Sequence, residues 1–230
     1  MVVFGTTLAI AVLAIIVVGG VLLLRSRSST QNGKKSADDF RSARREVTLE
    51  NVEPGDAIIF WDDSDSLIET VLECQEHVGE RATQWRWVFL SDGRLIEVSG
   101  TRRKMYSPPE VFYQGSAPFA ELTAEVDQGG ALKTFEERVR DGSVASQPVA
   151  FTYDGTRYAI RSTGTFAANV KGKPLQTDVW ADLSANEGDN VYFKMQSSSG
   201  EEALGTWTTH IAFSTGKSLA DSDIKGIYGK

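Results

Sequence analysis

Twenty-three consecutive uncharged residues, from Val2 to Leu24 (VVFGTTLAIAVLAIIVVGGVLLL), constrain this chain more than any other stretch. As a helix rising about 1.5 Å per residue they would measure roughly 35 Å, enough to cross a hydrocarbon core of about 30 Å with some tilt. The reading is therefore a single transmembrane anchor over residues 1–24. A cleaved signal peptide fits less well, because no Lys or Arg precedes the span and it ends directly in Arg25. Gly5 and Ala9 form a small-xxx-small pair of the kind that seats helix dimers.

Residues 25–46 read as a basic juxtamembrane linker. Between Arg25 and Arg45 seven basic residues (Arg25, Arg27, Lys34, Lys35, Arg41, Arg44, Arg45) face two acidic ones (Asp38, Asp39), a balance of +5. By the positive-inside rule this side is cytoplasmic, so everything from Arg25 onward is expected in the cytosol. The same flank would attract an anionic inner leaflet. Within it, residues 31–35 read as a polar linker around Gly33, and Ser36 with Asp39 suggests the start of a short helix.

The 185 residues that remain are enough for one well-buried domain or two small ones. They carry 17 basic and 29 acidic residues, a balance of −12, so they should repel nucleic acid, and no nucleic-acid partner is expected. Cys74 is the one cysteine, which excludes an internal disulfide framework and suits a reducing compartment.

The pattern of this body predicts a mainly β fold. Pro54-Gly55 precedes an apolar run, residues 57–61, that reads as a buried strand. Residues 66–78 carry both periods: Leu67, Ile68, Val71, Leu72, Gln75 and Val78 recur at helical spacing, whereas Ile68, Thr70, Leu72 and Cys74 share one strand face. The strand is preferred. TQWRWVFLSDGRLIEV reads as a hairpin turning at Ser91-Asp92-Gly93, and residues 149–160 as another turning at Asp154-Gly155. Residues 131–140 place Leu132, Phe135 and Val139 on one helical side. Strands are also read at residues 176–183, 191–196, 206–214 and 224–228.

The interval from Trp61 to Trp87 nearly equals that from Tyr153 to Trp180. We therefore expect two similar β-rich units, residues 47–118 and 148–230, joined by a helical connector at 119–147 with one helix. The motifs EPGDAIIFW, WRWVFLSDGRLIEV, FTYDGTRYAI and DIKGIY resemble those of the bacterial family catalogued as domain of unknown function 4178, over about residues 47–228. The resemblance implies a β-rich, sometimes duplicated and membrane-tethered domain among envelope or membrane-stress maintenance functions. It implies no reaction and carries over no functional residue.

Candidate chemistry is sparse. Cys74 and His77 have C-x-x-H spacing beside Glu73 and Glu76, but structural zinc wants four ligands and a nucleophilic Cys a positioned base. The other histidine, His210, reads as a strand residue. Asp62, Asp63, Asp65 and Glu69 fail as a calcium loop, which would need an oxygen ligand at Leu67, glycine at Ile68 and glutamate at Cys74; a solvated turn fits them. Gly129-Gly130 and Gly142 lack a phosphate-cradle context. Most of Trp61, Trp85, Trp87, Tyr153, Trp180 and Trp207 read as packing, with Trp85 expected at the surface, and Arg102, Arg103 and Lys104 as a solvated loop. No catalytic, cofactor or metal residue is assigned. The reading is a membrane-tethered cytosolic binding or scaffold module with a protein partner; the alternative is a membrane-anchored hydrolase or metal-dependent enzyme with a diverged site.

Overall fold

The computed structural model describes residues 46–123, 130–173, 183 and 190–230. The strands in chain order are β1 (Ala57–Phe60), β2 (Asp65–Val78), β3 (Arg81–Leu90), β4 (Leu95–Ser99), β5 (Arg102–Tyr106), β6 (Glu110–Phe112), β7 (Ala150–Tyr153), β8 (Thr156–Gly172), β9 (Asn190–Ser197), β10 (Glu202–Trp207), β11 (Ile211–Ser218) and β12 (Ile224–Tyr228). Helices α1 (Ala117–Thr123) and α2 (Ala131–Asp141) lie between β6 and β7. Among the described residues no helix is long and apolar enough to cross a membrane. The span expected at residues 2–24, its basic flank and the short helix after Ser36 lie outside them.

Eight strands close into an antiparallel barrel in the order β2-β3-β4-β5-β11-β10-β9-β8, with β8 returning to β2. Residues 47–118 and 148–230 thus supply four barrel strands each. Paired residues lead from Gly172 through Thr70, Phe89, Leu95, Tyr106, Gly216, Glu202 and Gln196 to Ala159, farther back on β8. Such a stagger is what tilted strands need to close. Outside the barrel, β1 and β12 extend the sheet from β2, β7 pairs with β8, and β6 pairs with β11.

Strand alternation divides the wall into two faces. A buried cluster with members from all eight barrel strands, including Leu72, Trp87, Leu95, Tyr106, Phe166, Tyr192, Leu204 and Ala212, identifies the lumen. Residues of opposite parity point outward. Ile96, Val98, Val88 and Leu90 pack under β1, β12 and the segment at Leu49 and Val52. Phe193, Met195, Ile211 and Phe213 pack with Phe119 and Leu122 of α1 and Leu132 and Phe135 of α2. β4 is therefore buried on both faces, which explains why Leu95–Val98 lacks a polar alternate apart from Glu97.

The strand reading of residues 66–78 holds, since Leu72 and Cys74 face the lumen while Val71 enters an outer cluster. Asp154-Gly155 forms the hairpin turn with φ of 45° and 73°, the left-handed pair that an Asp-Gly loop supplies. Helix α2 stops at Gly142, whose φ of 78° provides the left-handed cap.

Several expectations need correction. Among the described residues two helices, α1 and α2, lie between β6 and β7 where one was expected, and Val139 is exposed while Leu132 and Phe135 are buried. Residues 206–214 are not one strand: Thr208 N–H bonds to the His210 carbonyl at 3.1 Å, so the polar triple Thr208-Thr209-His210 turns the chain between β10 and β11. The strand begun at Arg157 continues to Gly172, because β8 must reach both β9 and β2. Trp85 is only 6 % exposed, since lumen parity places it against Trp87, Phe166 and Tyr192. Arg102, Arg103 and Lys104 begin β5 instead of forming a loop; Arg103 bridges Glu50 and Asp221, and Lys104 reaches Glu202 at 3.0 Å. The expected strand at residues 176–183 lies outside the described residues except for Leu183, which is buried in the lumen cluster.

Candidate functional site

Residues three apart on a strand point to opposite faces. Cys74 accordingly lies in the lumen, 2 % exposed, with its thiol pushed well up by burial and then by the Glu97 carboxylate. His77 lies outside and exposed, its ring nitrogen 2.7 Å from the Gln75 amide. His210 occupies the β10–β11 turn, beside the Tyr113 ring at 6.1 Å. The strand that made C-x-x-H conspicuous in sequence is what separates its two members. Among the described residues no group of three or more His, Cys, Asp or Glu side chains could hold a metal ion. The acidic run behaves as a turn: Asp62 accepts the Ser64 N–H at 2.9 Å, and Asp63 takes a left-handed φ of 60° and pairs with Lys225 at 2.5 Å.

Two sites come instead from the barrel wall. In the lumen, Glu97 from β4 is buried and accepts the Trp87 indole N–H at 3.1 Å while pairing with Lys194 of β9 at 2.8 Å. The Lys194 ammonium sits 5.6 Å from the Trp85 ring centroid and 5.4 Å from that of Tyr192, the geometry of a cation over aromatic faces. Lys104 and Glu202 form a second pair between β5 and β10. The Tyr192 hydroxyl donates to Glu76 at 2.8 Å, and burial together with that carboxylate pushes its ionisation above the usual tyrosine range. Gly164 makes this possible, because a Cβ there would lie 1.9 Å from the Glu76 carboxylate oxygen.

On the outer face a cleft of about 550 Å³ crosses β8, β2, β3 and the end of β4. Its walls carry the cross-strand pairs Glu73–Arg86 and Gln75–Gln84, with Asn169 of β8 opposite Glu73 and Glu50 at the rim. Arg86 fixes that rim by donating to the carbonyls of Glu50 and Val52. Glu73 pairs with Lys171 at 2.6 Å, and that hydrogen bond holds its carboxyl below the usual range despite partial burial. These planar amide, carboxylate and guanidinium groups offer donors and acceptors in fixed pairs, an arrangement suited to reading a polar surface. A second recess of about 520 Å³ lies where β5 meets β11 near Ser199–Glu201; it lacks such paired rows.

Sequence reasoning missed Glu97 and Lys194. The signal available was Glu97 itself, a lone carboxylate between Ile96 and Val98 in a strand whose other side chains are all apolar up to Ser99. Comparison of the chain with protein-family models, with curated proteins and with solved structures finds no match.

Proposed function

We propose that the chain is a membrane-tethered, cytosolic binding or scaffold module, held at the inner leaflet by residues 2–24 and their basic flank, that engages a protein partner through the outer cleft. The observation that carries this reading is the cleft, where Glu73, Gln75, Gln84, Arg86 and Asn169 present paired polar groups on the outer wall. The Cys and His candidates weighed for an enzymatic alternative, Cys74, His77 and His210, occupy the lumen, the outer wall and a turn. Tethering then serves by raising local concentration and orientation at the bilayer.

The two halves of the barrel are, on this reading, copies of one unit, each a short strand followed by a four-strand meander: β1 with β2–β5, and β7 with β8–β11. Membership of the domain of unknown function 4178 family, and a role in envelope or membrane-stress maintenance, belong to the same proposal. The motif residues Glu53 to Asp56 have a structural task here, since the buried Asp56 carboxylate accepts the Glu53 N–H at 2.7 Å and closes the turn before β1.

The test is complementation of a deletion strain by the full chain carrying Cys74→Ala, His77→Gln and His210→Gln together. Growth equal to the unsubstituted chain is expected. A folded, membrane-bound but inactive product would instead support catalysis through one of the three.

A further inference from the structure

Four lumen-facing side chains from four strands carry buried polar atoms that meet no hydrogen-bond partner among the described residues: Trp85 Nε1 on β3, Tyr106 Oη on β5, Asn190 Nδ2 on β9 and Ser214 Oγ on β11. Each of these residues is at least 94 % buried. Buried polar groups in native proteins are almost always satisfied, so four on one face require a common explanation. The indole and the amide nitrogen can only donate, and the two hydroxyls can donate, so an acceptor is what would satisfy all four. The carboxylates that the described strands send into the lumen are already engaged, Glu97 by Trp87 and Lys194, Glu202 by Lys104, and Glu76 by Tyr192.

The sign of that acceptor follows from the same contacts. Lys194 and Lys104 are held by Glu97 and Glu202, and the four orphan groups are themselves neutral. An anion entering would lose its hydration while both of these lysines stay committed to their carboxylates. A neutral carbonyl-type oxygen loses less and satisfies the donors, while its carbon substituents would pack on Trp85, Phe166 and Ala212.

We propose that the barrel lumen is a binding site for a small uncharged molecule with carbonyl-type oxygen acceptors, held by Trp85, Tyr106, Asn190 and Ser214. Trp85 also borders the outer cleft, but the lumen proposal rests on the buried donors and not on the role given to that cleft.

The experiment uses the full ¹⁵N-labelled chain in detergent micelles and follows the indole N–H resonances during titration with acetamide and, separately, sodium acetate. Trp85→Phe assigns the Trp85 signal. The expected result is a saturable shift of that signal with acetamide, at least tenfold weaker with acetate. Tyr106→Phe with Ser214→Ala, which removes only two hydroxyls, should weaken the acetamide response at least tenfold while leaving the Trp87 resonance in place as evidence of an intact barrel. No saturable shift with acetamide, as expected of a lumen that takes only water, overturns the proposal. So does saturation by acetate at equal or lower concentration, or an undiminished response in the folded double variant.

Discussion

Strand β2 presents two faces of different physical character, although both carry a glutamate-lysine pair close by. Outward, Glu73 pairs with Lys171, and both side chains are two-fifths exposed or more. Inward, across the lumen, Glu97 pairs with Lys194, and the Glu97 side chain is 4 % exposed. The first pair competes with water and is screened by salt. The second has exchanged its hydration for an indole N–H, an ammonium and two aromatic faces. The same chemical pair therefore decorates the surface in one place and specifies the barrel interior in the other.

The sharpest way to break the inner arrangement is Trp87→Ala. It removes a fully buried ring and the donor of Glu97 together, and should cost about 3–5 kcal/mol, read as a lowered denaturation midpoint in urea. Next, Glu97→Ala leaves Lys194 without its partner and should cost about 3 kcal/mol. Glu97→Leu combined with Lys194→Met should recover part of that loss, because both charges leave the lumen at once while the Trp87 indole N–H stays without its acceptor. If the double replacement is as damaging as the single, the pair is not the unit described here.

Cys74 gives a smaller effect with a definite sign. Burial raises its folded-state pKa well above the ordinary thiol value of 9.0, so above that pH the unfolded chain releases a proton that the folded chain retains. Stability should therefore fall as pH rises past about 9, and Cys74→Ala should flatten that slope. Iodoacetamide should leave the folded protein unlabelled at neutral pH and label it after unfolding.

The outer pair should matter least. Glu73→Gln should change stability by under about 1 kcal/mol. Because Lys171 lowers the folded Glu73 pKa, its small contribution is present above the unfolded carboxyl pKa and disappears as acid takes the pH down through the folded value. Added salt should shrink this effect while leaving that of Glu97→Ala nearly unchanged.

How far this contrast could be read from sequence depends on distance along the chain. Local signals were sufficient for hairpins: Ser91-Asp92-Gly93 and Asp154-Gly155 turn where turn chemistry places them, and Gly142 ends α2. Barrel closure was not legible, because it rests on pairing Thr70 with Gly172 and Tyr106 with Gly216, contacts over a hundred residues apart that no local period records. The misreading of Trp85 follows from this. Without closure, one face of β3 has to be wet, whereas in the barrel Trp85 and Trp87 are both enclosed. The basic triple Arg102-Arg103-Lys104 looked like a loop for the same reason, since its acidic partners Glu50, Asp221 and Glu202 come from distant segments. The outer cleft was equally hidden, being assembled from β8, β2 and β3, although Glu73 and Gln75 could be assigned to one face by alternation alone.

Whether the outer face of β2 and β3 carries the biological role is decided by one side-by-side complementation of a deletion strain. One full-length variant carries Gln75→Ala, Gln84→Ala and Asn169→Ala, which clear the cleft without touching the lumen; the other carries Cys74→Ala, His77→Gln and His210→Gln. With equal membrane levels and intact folding of both, loss of growth in the cleft variant alone is the predicted result. Full growth of the cleft variant, with failure of the other, would contradict a binding role for the cleft and point to chemistry at Cys74, His77 or His210.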